Sequence, residues 1–317
     1  MLAARKRLCA GARVSARARG VGLVLLSAVG YGMTPILLKF AYAEGAQMEQ
    51  ILYYRFLLAV LLLGGQLALR GRLRALPRGR WGTLALAAGV GGMLFAGITL
   101  NLFTAMKYLS ASVSELLYFI YPIWVGLLSA ALYKMRLRLA QWLCLAAMLA
   151  GLFLTLDLRG EAFGVKGLAF ALLSSVCSAA YVLFAKRRVF EALDGYVFSL
   201  AVMLGALVCF AACYFGPGGM HPPLSGRAIA VILIMTLAST LVAMCSYFLG
   251  IRTLSPTEIA ALASVEPVVT LVGERLVLGT ALGARVWLGA AVVIGAVTAF
   301  TLVGSADKTC VKRSRKE

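Results

Sequence analysis

FTAMKYLSASVSELLYFIYP, residues 103–122, and FLGIRTLSPTEIAALASVEP, residues 248–267, read as two versions of one segment. Phenylalanine, a basic residue, leucine, serine and proline recur in the same order at an offset of 145. Upstream, LLSAVGYGMTPILLK, residues 25–39, matches LLSSVCSAAYVLFAK, residues 172–186, at an offset of 147. The chain is therefore built from two related halves, and a repeat that long is a structural unit rather than a short motif.

The medium in which those halves fold follows from composition. Of 317 residues, 62% are hydrophobic and only 14% charged, where a soluble domain carries about a quarter charged residues. Ten apolar runs are read as spans: 20–43, 50–69, 82–105, 110–132, 138–156, 166–186, 195–215, 227–250, 256–278 and 284–304. Such lengths suit helices crossing a bilayer. The connectors are short, so no soluble catalytic domain is expected. The AYA tripeptide at 41–43 resembles a signal-peptidase site, but the run before it is too long and contains Pro35, so it is read as an anchored span.

The net charge of +19 raises the possibility of nucleic-acid binding. Its distribution excludes that: the cations lie in connectors and at the two ends, without aromatic interleaving. Arg70, Arg72, Arg74, Arg78 and Arg80 follow the second span, Lys134, Arg136 and Arg138 the fourth, and Lys186, Arg187 and Arg188 the sixth. Together with both tails these segments share one side only if the spans are even in number, so ten spans with cytoplasmic termini satisfy the positive-inside rule. Five spans per half is an odd number, and the second half enters from the opposite face. The expected architecture is all-α, two inverted five-helix repeats at 20–156 and 166–304, with basic tails at 1–19 and 305–317. Inverted repeats are typical of secondary transporters.

The seven cysteines form no CxxC pair and are read as small buried apolar residues, not metal ligands. No cofactor is expected. Nothing matches a GxxxxGK[ST] nucleotide loop, so energy would come from gradients or exchange.

At this point the chain resembles the ten-helix drug/metabolite transporter superfamily, and within it the EamA-like exporters. The resemblance spans residues 20–304. It rests on GYGMTP (30–35), YYRFLLA (53–59), AMKYLSAS (105–112), the Tyr121–Pro122 and Glu266–Pro267 pairs, and the glycine-containing CLAAMLAGLFL (144–154) and GAAVVIGAV (289–297). It implies export of small metabolites, amino-acid-like compounds or drugs across the inner membrane. One departure stands out. The family's Leu-Gly-Glu-Arg-like motif falls thirteen residues after the proline, where this chain has Met135 and Thr280; Glu274–Arg275 lies six residues too early. Any role of that motif is not carried over.

Glu266 raises the functional question. If its helix starts at Pro256, the carboxylate lies about 15 Å in, near the bilayer centre. An acid there costs at least about 2.5 kcal/mol and must face protein or water. Pro267 frees the Ala263 carbonyl, and Pro122 does the same to Tyr118 in the counterpart helix, where Tyr121 replaces the acid. Two broken helices at matching depths are read as hinges lining a binding site. Tyr31, Asn101, Tyr118, Tyr121, Trp124, Tyr181, Ser246 and Tyr247 would complete a mixed pocket, with Asn101 and Ser246 as repeat counterparts. Arg55 either meets an anionic substrate group, pairs with an acid, or snorkels to headgroups. Glu115 and Glu258 are read as helix caps, Glu258 in the capping box Ser255–Pro256–Thr257–Glu258. Glu274 and Arg275 are read as interfacial.

Three function classes follow: a secondary transporter, a membrane-embedded transferase, or a non-transporting partner or channel. The sole histidine, His221, and the isolated aspartates Asp157, Asp194 and Asp307 offer no metal–diphosphate motif or His–acid dyad. A transporter is therefore expected, with a small solute and the bilayer as partners. Protons are the candidate coupling ion, and a homodimer is left open.

Overall fold

The computed structural model describes residues 2–73, 78–109, 111–133, 137–154, 164–191, 193–216, 221–278 and 283–314. Among them every regular element is helical. The elements are α1 Leu2–Gly32, α2 Thr34–Ala43, α3 Met48–Leu69, α4 Trp81–Leu86, α5 Gly92–Ala105, α6 Ala111–Tyr118, α7 Tyr121–Tyr133, α8 Leu139–Leu154, α9 Val165–Ala185, α10 Gly195–Tyr214, α11 Gly226–Met235, α12 Ala243–Ile251, α13 Pro256–Ala263, α14 Glu266–Leu278 and α15 Ala284–Ser314. Widened π-helical turns join α4 to α5 at Ala87–Gly91 and α11 to α12 at Thr236–Val242.

Among the described residues, six continuous or bent segments are long and apolar enough to cross a bilayer: Arg17–Ala43, Met48–Leu69, Trp81–Ala105, Val165–Ala185, Gly195–Tyr214 and Gly226–Ile251. Tyr121–Leu132, Leu139–Leu154 and Ala284–Phe300 are shorter apolar helices. Leu61, Leu132, Leu143, Val208 and Leu288 are exposed on their outer faces, as expected of side chains whose solvent is lipid.

Tight turns close two helix ends. After α2, Gly45 takes φ 79°, Gly45 N–H donates to Tyr42 O, and Ala46 N–H to Ala41 O. Gly71 repeats this after α3 with φ 66°. Both are Schellman caps, in which glycine supplies the left-handed residue. Elsewhere close helix approach depends on glycine: a Cβ on Gly92 would sit 2.5 Å from the Gly205 Cα, so α5 and α10 meet nearly backbone to backbone.

The expected run limits of 20 and 304 are not helix ends. The α1 backbone is already helical from Leu2 and α15 runs to Ser314. Both extensions lack proline and are rich in Ala, Lys, Arg or Val, which do not interrupt the ladder. α8 packs on α15, α5 on α9, α1 on α12 and α3 on α10, while α7 crosses α13 and α1 also reaches α14.

Candidate functional site

Among the described residues three helices break with a proline just beyond the break. α1 passes to α2 through Met33, α6 to α7 through Phe119–Ile120, and α13 to α14 through Ser264–Val265. Pro35, Pro122 and Pro267 have no N–H to give the residue four positions back. Those residues are Tyr31, Tyr118 and Ala263, and all three line one cavity of about 550 Å³. The first break had no counterpart among the expected hinges, although Pro35, just after Gly30 and Gly32, was its signal.

The first and third breaks touch. Gly32 lies so close to α14 that a Cβ would come 2.8 Å from the Glu266 carbonyl oxygen. The Thr270 hydroxyl, 2.9 Å from the Gly32 carbonyl and 3.2 Å from that of Glu266, ties the two helices together. The second break crosses the third where the Tyr121 hydroxyl donates to Ala260 O at 3.4 Å.

Charged groups of both signs face the cavity. Glu266, Glu115, Arg55, Lys39 and Lys107 all line it. Glu266 makes no ion pair among the described residues and has Glu115 within electrostatic reach. Tyr31 lies within reach of both Arg55 and Glu266. Arg55 is 6% exposed and does not snorkel. Its Nη2 donates to Ser239 O at 2.8 Å and its Nε to Thr240 Oγ1, both in the π-helical turn Thr236–Val242. A π turn spaces carbonyls too widely for the ordinary ladder, and the guanidinium fills that gap. Arg55 is thus anchored by neutral dipoles while its charge borders the cavity.

Tyrosines form much of the remaining wall. Tyr118 and Tyr121 lie 5.3 Å apart between centroids, and Tyr181 and Tyr247 stack at 6.5 Å. The Tyr118 hydroxyl is 3.4 Å from Ser178 Oγ. Three lining hydroxyls, Ser27, Thr34 and Tyr181, are buried with no hydrogen-bond partner among the described residues. Buried orphan hydroxyls are rare and costly, so this wall has hydrogen-bonding capacity to offer a solute.

Of the residues singled out from sequence, Tyr31, Arg55, Tyr118, Tyr121, Tyr181, Tyr247 and Glu266 line the cavity. Asn101, Trp124 and Ser246 do not. The Asn101 amide donates to Gly97 O of its own helix at 2.6 Å. Ser246 is buried and rotated by one residue, about 100°, from Tyr247. Trp124 packs one turn further along α7 against the cluster around Phe119 and Val125. Pro122 and Pro267 sit at the breaks rather than on the wall. Glu258 is a cap: its N–H meets Ser255 Oγ at 3.3 Å, its Oε2 accepts the Ser255 N–H at 2.7 Å, and its Oε1 pairs with Arg17 at 2.7 Å. Glu115, expected to cap, lines the cavity, while the Ser112 side chain of that expected cap lies outside the described residues. The position of Glu115 three before Tyr118 on one helical face was the available signal. Lys39, Tyr42 and Lys107 also line the cavity and were not singled out from sequence. Arg275 is exposed; the Glu274 side chain, Met135 and Thr280 lie outside the described residues.

The described cysteines Cys144, Cys177, Cys209, Cys213 and Cys245 are free, and no group of three His, Cys, Asp or Glu suited to a metal occurs among the described residues.

The model of the EamA-like transporter family matches twice, over residues 18–157 and 165–302. A Bacillus subtilis (strain 168) protein named "Uncharacterized transporter YcbK" is 26% identical over 316 residues, 96% of this chain and 98% of its own. "Uncharacterized inner membrane transporter YhbE" of Escherichia coli (strain K12) is 29% identical over 136 residues, 42% of this chain and 41% of its own. A solved structure described only as "Crystal structure of protein" superposes with a TM-score of 0.74 at 18% identity, covering 92% of this chain and 97% of that one, a likeness of fold alone.

Proposed function

The chain belongs to the EamA-like transporter family, and from that premise we propose that this multi-pass membrane protein is a secondary transporter that exports small metabolites by alternating access. Ten spans form two inverted five-helix repeats, 20–156 and 166–304, with both termini in the cytoplasm. In support, interruptions recur at matching places in the two halves. The π turns fall in the third and eighth spans, and the proline breaks at 122 and 267 fall in the fourth and ninth.

The observation that carries the reading is the cavity itself. Its volume of about 550 Å³ lies within the usual range for small-molecule sites. Its walls are mainly apolar and aromatic, with Glu266 and Glu115 for a cationic group, Arg55 for an anionic one, and unpartnered hydroxyls at Ser27, Thr34 and Tyr181. It is bounded by three broken helices, which can shift at their breaks without unfolding. Protons are the coupling ion proposed, with Glu266 the group that carries them.

The test is uptake into proteoliposomes of a panel of zwitterionic, cationic and anionic solutes under an imposed proton gradient. Transport of at least one solute, lost on collapsing the gradient, is expected. Gradient-independent leak through an open pore, or no transport of any solute by protein that retains its fold, overturns the reading. Topology is checked by reporter fusions after Lys186, expected in the cytoplasm, and after Gly45, expected outside.

A further inference from the structure

The single histidine lies away from the cavity, in the segment that leads into α11. His221 Nδ1 is 2.6 Å from Gln47 Oε1, and Nε2 is 3.1 Å from Tyr214 O. The second partner is a backbone carbonyl and can only accept. The first is an acceptor too, because the Gln47 side chain already takes the Gln50 backbone N–H in a capping box at the start of α3. Gln50 is oriented by its own contacts: its Oε1 accepts the Gln47 N–H at 2.9 Å, and its Nε2 donates to Pro222 O at 2.7 Å. Two acceptors require two donors. Neutral imidazole carries one N–H and the imidazolium carries two.

The stacking favours the same form. The imidazole lies parallel to the Tyr214 ring, 4.5 Å between centroids at 11°, and Tyr214 stacks in turn on Tyr53 at 4.6 Å and 4°. A cation over an aromatic face is attracted to it. The titratable and charged groups of the neighbouring elements are Tyr214 of α10, which stacks on the imidazole, Tyr53 and Tyr54 of α3, which contact Tyr214, Glu49 two residues after Gln47 on α3, Glu44 of the α2–α3 connector and Arg227 of α11. Glu44 accepts from the Ser225 hydroxyl at 3.0 Å and lies 3.8 Å from Arg227.

We infer that His221 is a proton-operated latch. Doubly protonated, it pins the α2–α3 connector to the end of α10 and to the segment entering α11. On losing a proton it keeps one bond and releases the other. The proton comes from and returns to water on the face that the proposed topology puts outside. The connector matters because Tyr42 and Met48, on either side of it, line the cavity. Releasing Gln47 loosens the first turn of α3 at that wall.

The latch is read by amide hydrogen exchange of the full-length protein in nanodiscs, following peptides that cover residues 44–52. After correction for intrinsic chemistry, exchange should be about tenfold faster at about pH 8 than at about pH 5.5. His221→Gln should remove that difference. Gln47→Glu, which gives the imidazolium a charged acceptor, should move the transition upward by about one pH unit. Glu44→Gln should leave the wild-type difference intact. Equal corrected rates at both pH values in the wild type, an undiminished difference in His221→Gln, or loss of the difference in Glu44→Gln overturns the latch. These readouts use no transport, so they stand apart from the test of the exporter reading.

Discussion

The breaks at Tyr121–Pro122 and at Glu266–Pro267 are counterparts in the repeat and share a geometry, yet they offer different chemistry. Each pairs a cavity-lining side chain with a proline that strips a donor from the turn before it. One presents a phenol that donates to a neighbouring helix, Tyr121 to Ala260 O. The other presents a carboxylate with no ion pair among the described residues. The comparison separates two jobs. The proline sets where a helix can bend, and the residue before it decides what the bend can bind. Of the two, only the Glu266–Pro267 break presents a carboxyl to the cavity, the group proposed to carry the proton.

The sharpest way to break that comparison is at the acid. Glu266→Gln keeps size and hydrogen bonding but removes titration. It should cut gradient-driven uptake by more than about tenfold while expression and solute exchange persist. Tyr121→Phe, which removes only a 3.4 Å hydroxyl contact, should change uptake less than about threefold. Normal transport with an unchanged pH profile in Glu266→Gln would make the acid structural.

Arg55 comes next in size. Arg55→Lys keeps the charge but not the planar fork that reaches both Ser239 O and Thr240 Oγ1. One buried acceptor is left unmet, at about 1–3 kcal/mol. Thermal unfolding should fall by several degrees and transport by about tenfold. A variant with wild-type melting and transport would mean that the π turn does not depend on this anchor.

The prolines should have a smaller effect. Pro122→Ala and Pro267→Ala each restore a donor and should slow uptake a few-fold without blocking membrane insertion, Pro267→Ala more strongly because its break also contacts Gly32 and Thr270. Wild-type rates in the double variant would make the bends incidental to transport.

What the sequence made legible follows the same division. Apolar run length and proline position are local properties, so the helical membrane class and the breaks at 122 and 267 could be read directly. The acid at Glu266 was visible because a charge in an apolar run is conspicuous. Glu115 was not, because SVSE is equally good as a cap and only tertiary packing turns that face to the cavity. Arg55 left three options open, and choosing among them required knowing that α11 and α12 are joined by a π turn, which Thr236–Val242 does not announce by composition. The pairing of Gly32 with the Glu266 break joins residues over 230 positions apart, beyond any local pattern.

The smallest expected effect tests whether repeat symmetry alone marks function. Asn101 and Ser246 occupy counterpart positions in the two halves and are both polar inside membrane helices, which made them candidates. Neither lines the cavity: Asn101 is occupied with Gly97 O at 2.6 Å, and Ser246 is buried one residue off the lining face. Intramembrane hydrogen bonds of this kind average about 0.6 kcal/mol. Asn101→Leu and Ser246→Ala should therefore change initial uptake less than about twofold and lower the unfolding temperature only slightly. Tyr247→Phe, adjacent to Ser246 but on the wall, should raise KM more than either. If Asn101→Leu or Ser246→Ala instead loses transport more than fivefold at unchanged stability, the solute path extends beyond the cavity between the three broken helices, and symmetry would be the better guide to the site than the breaks.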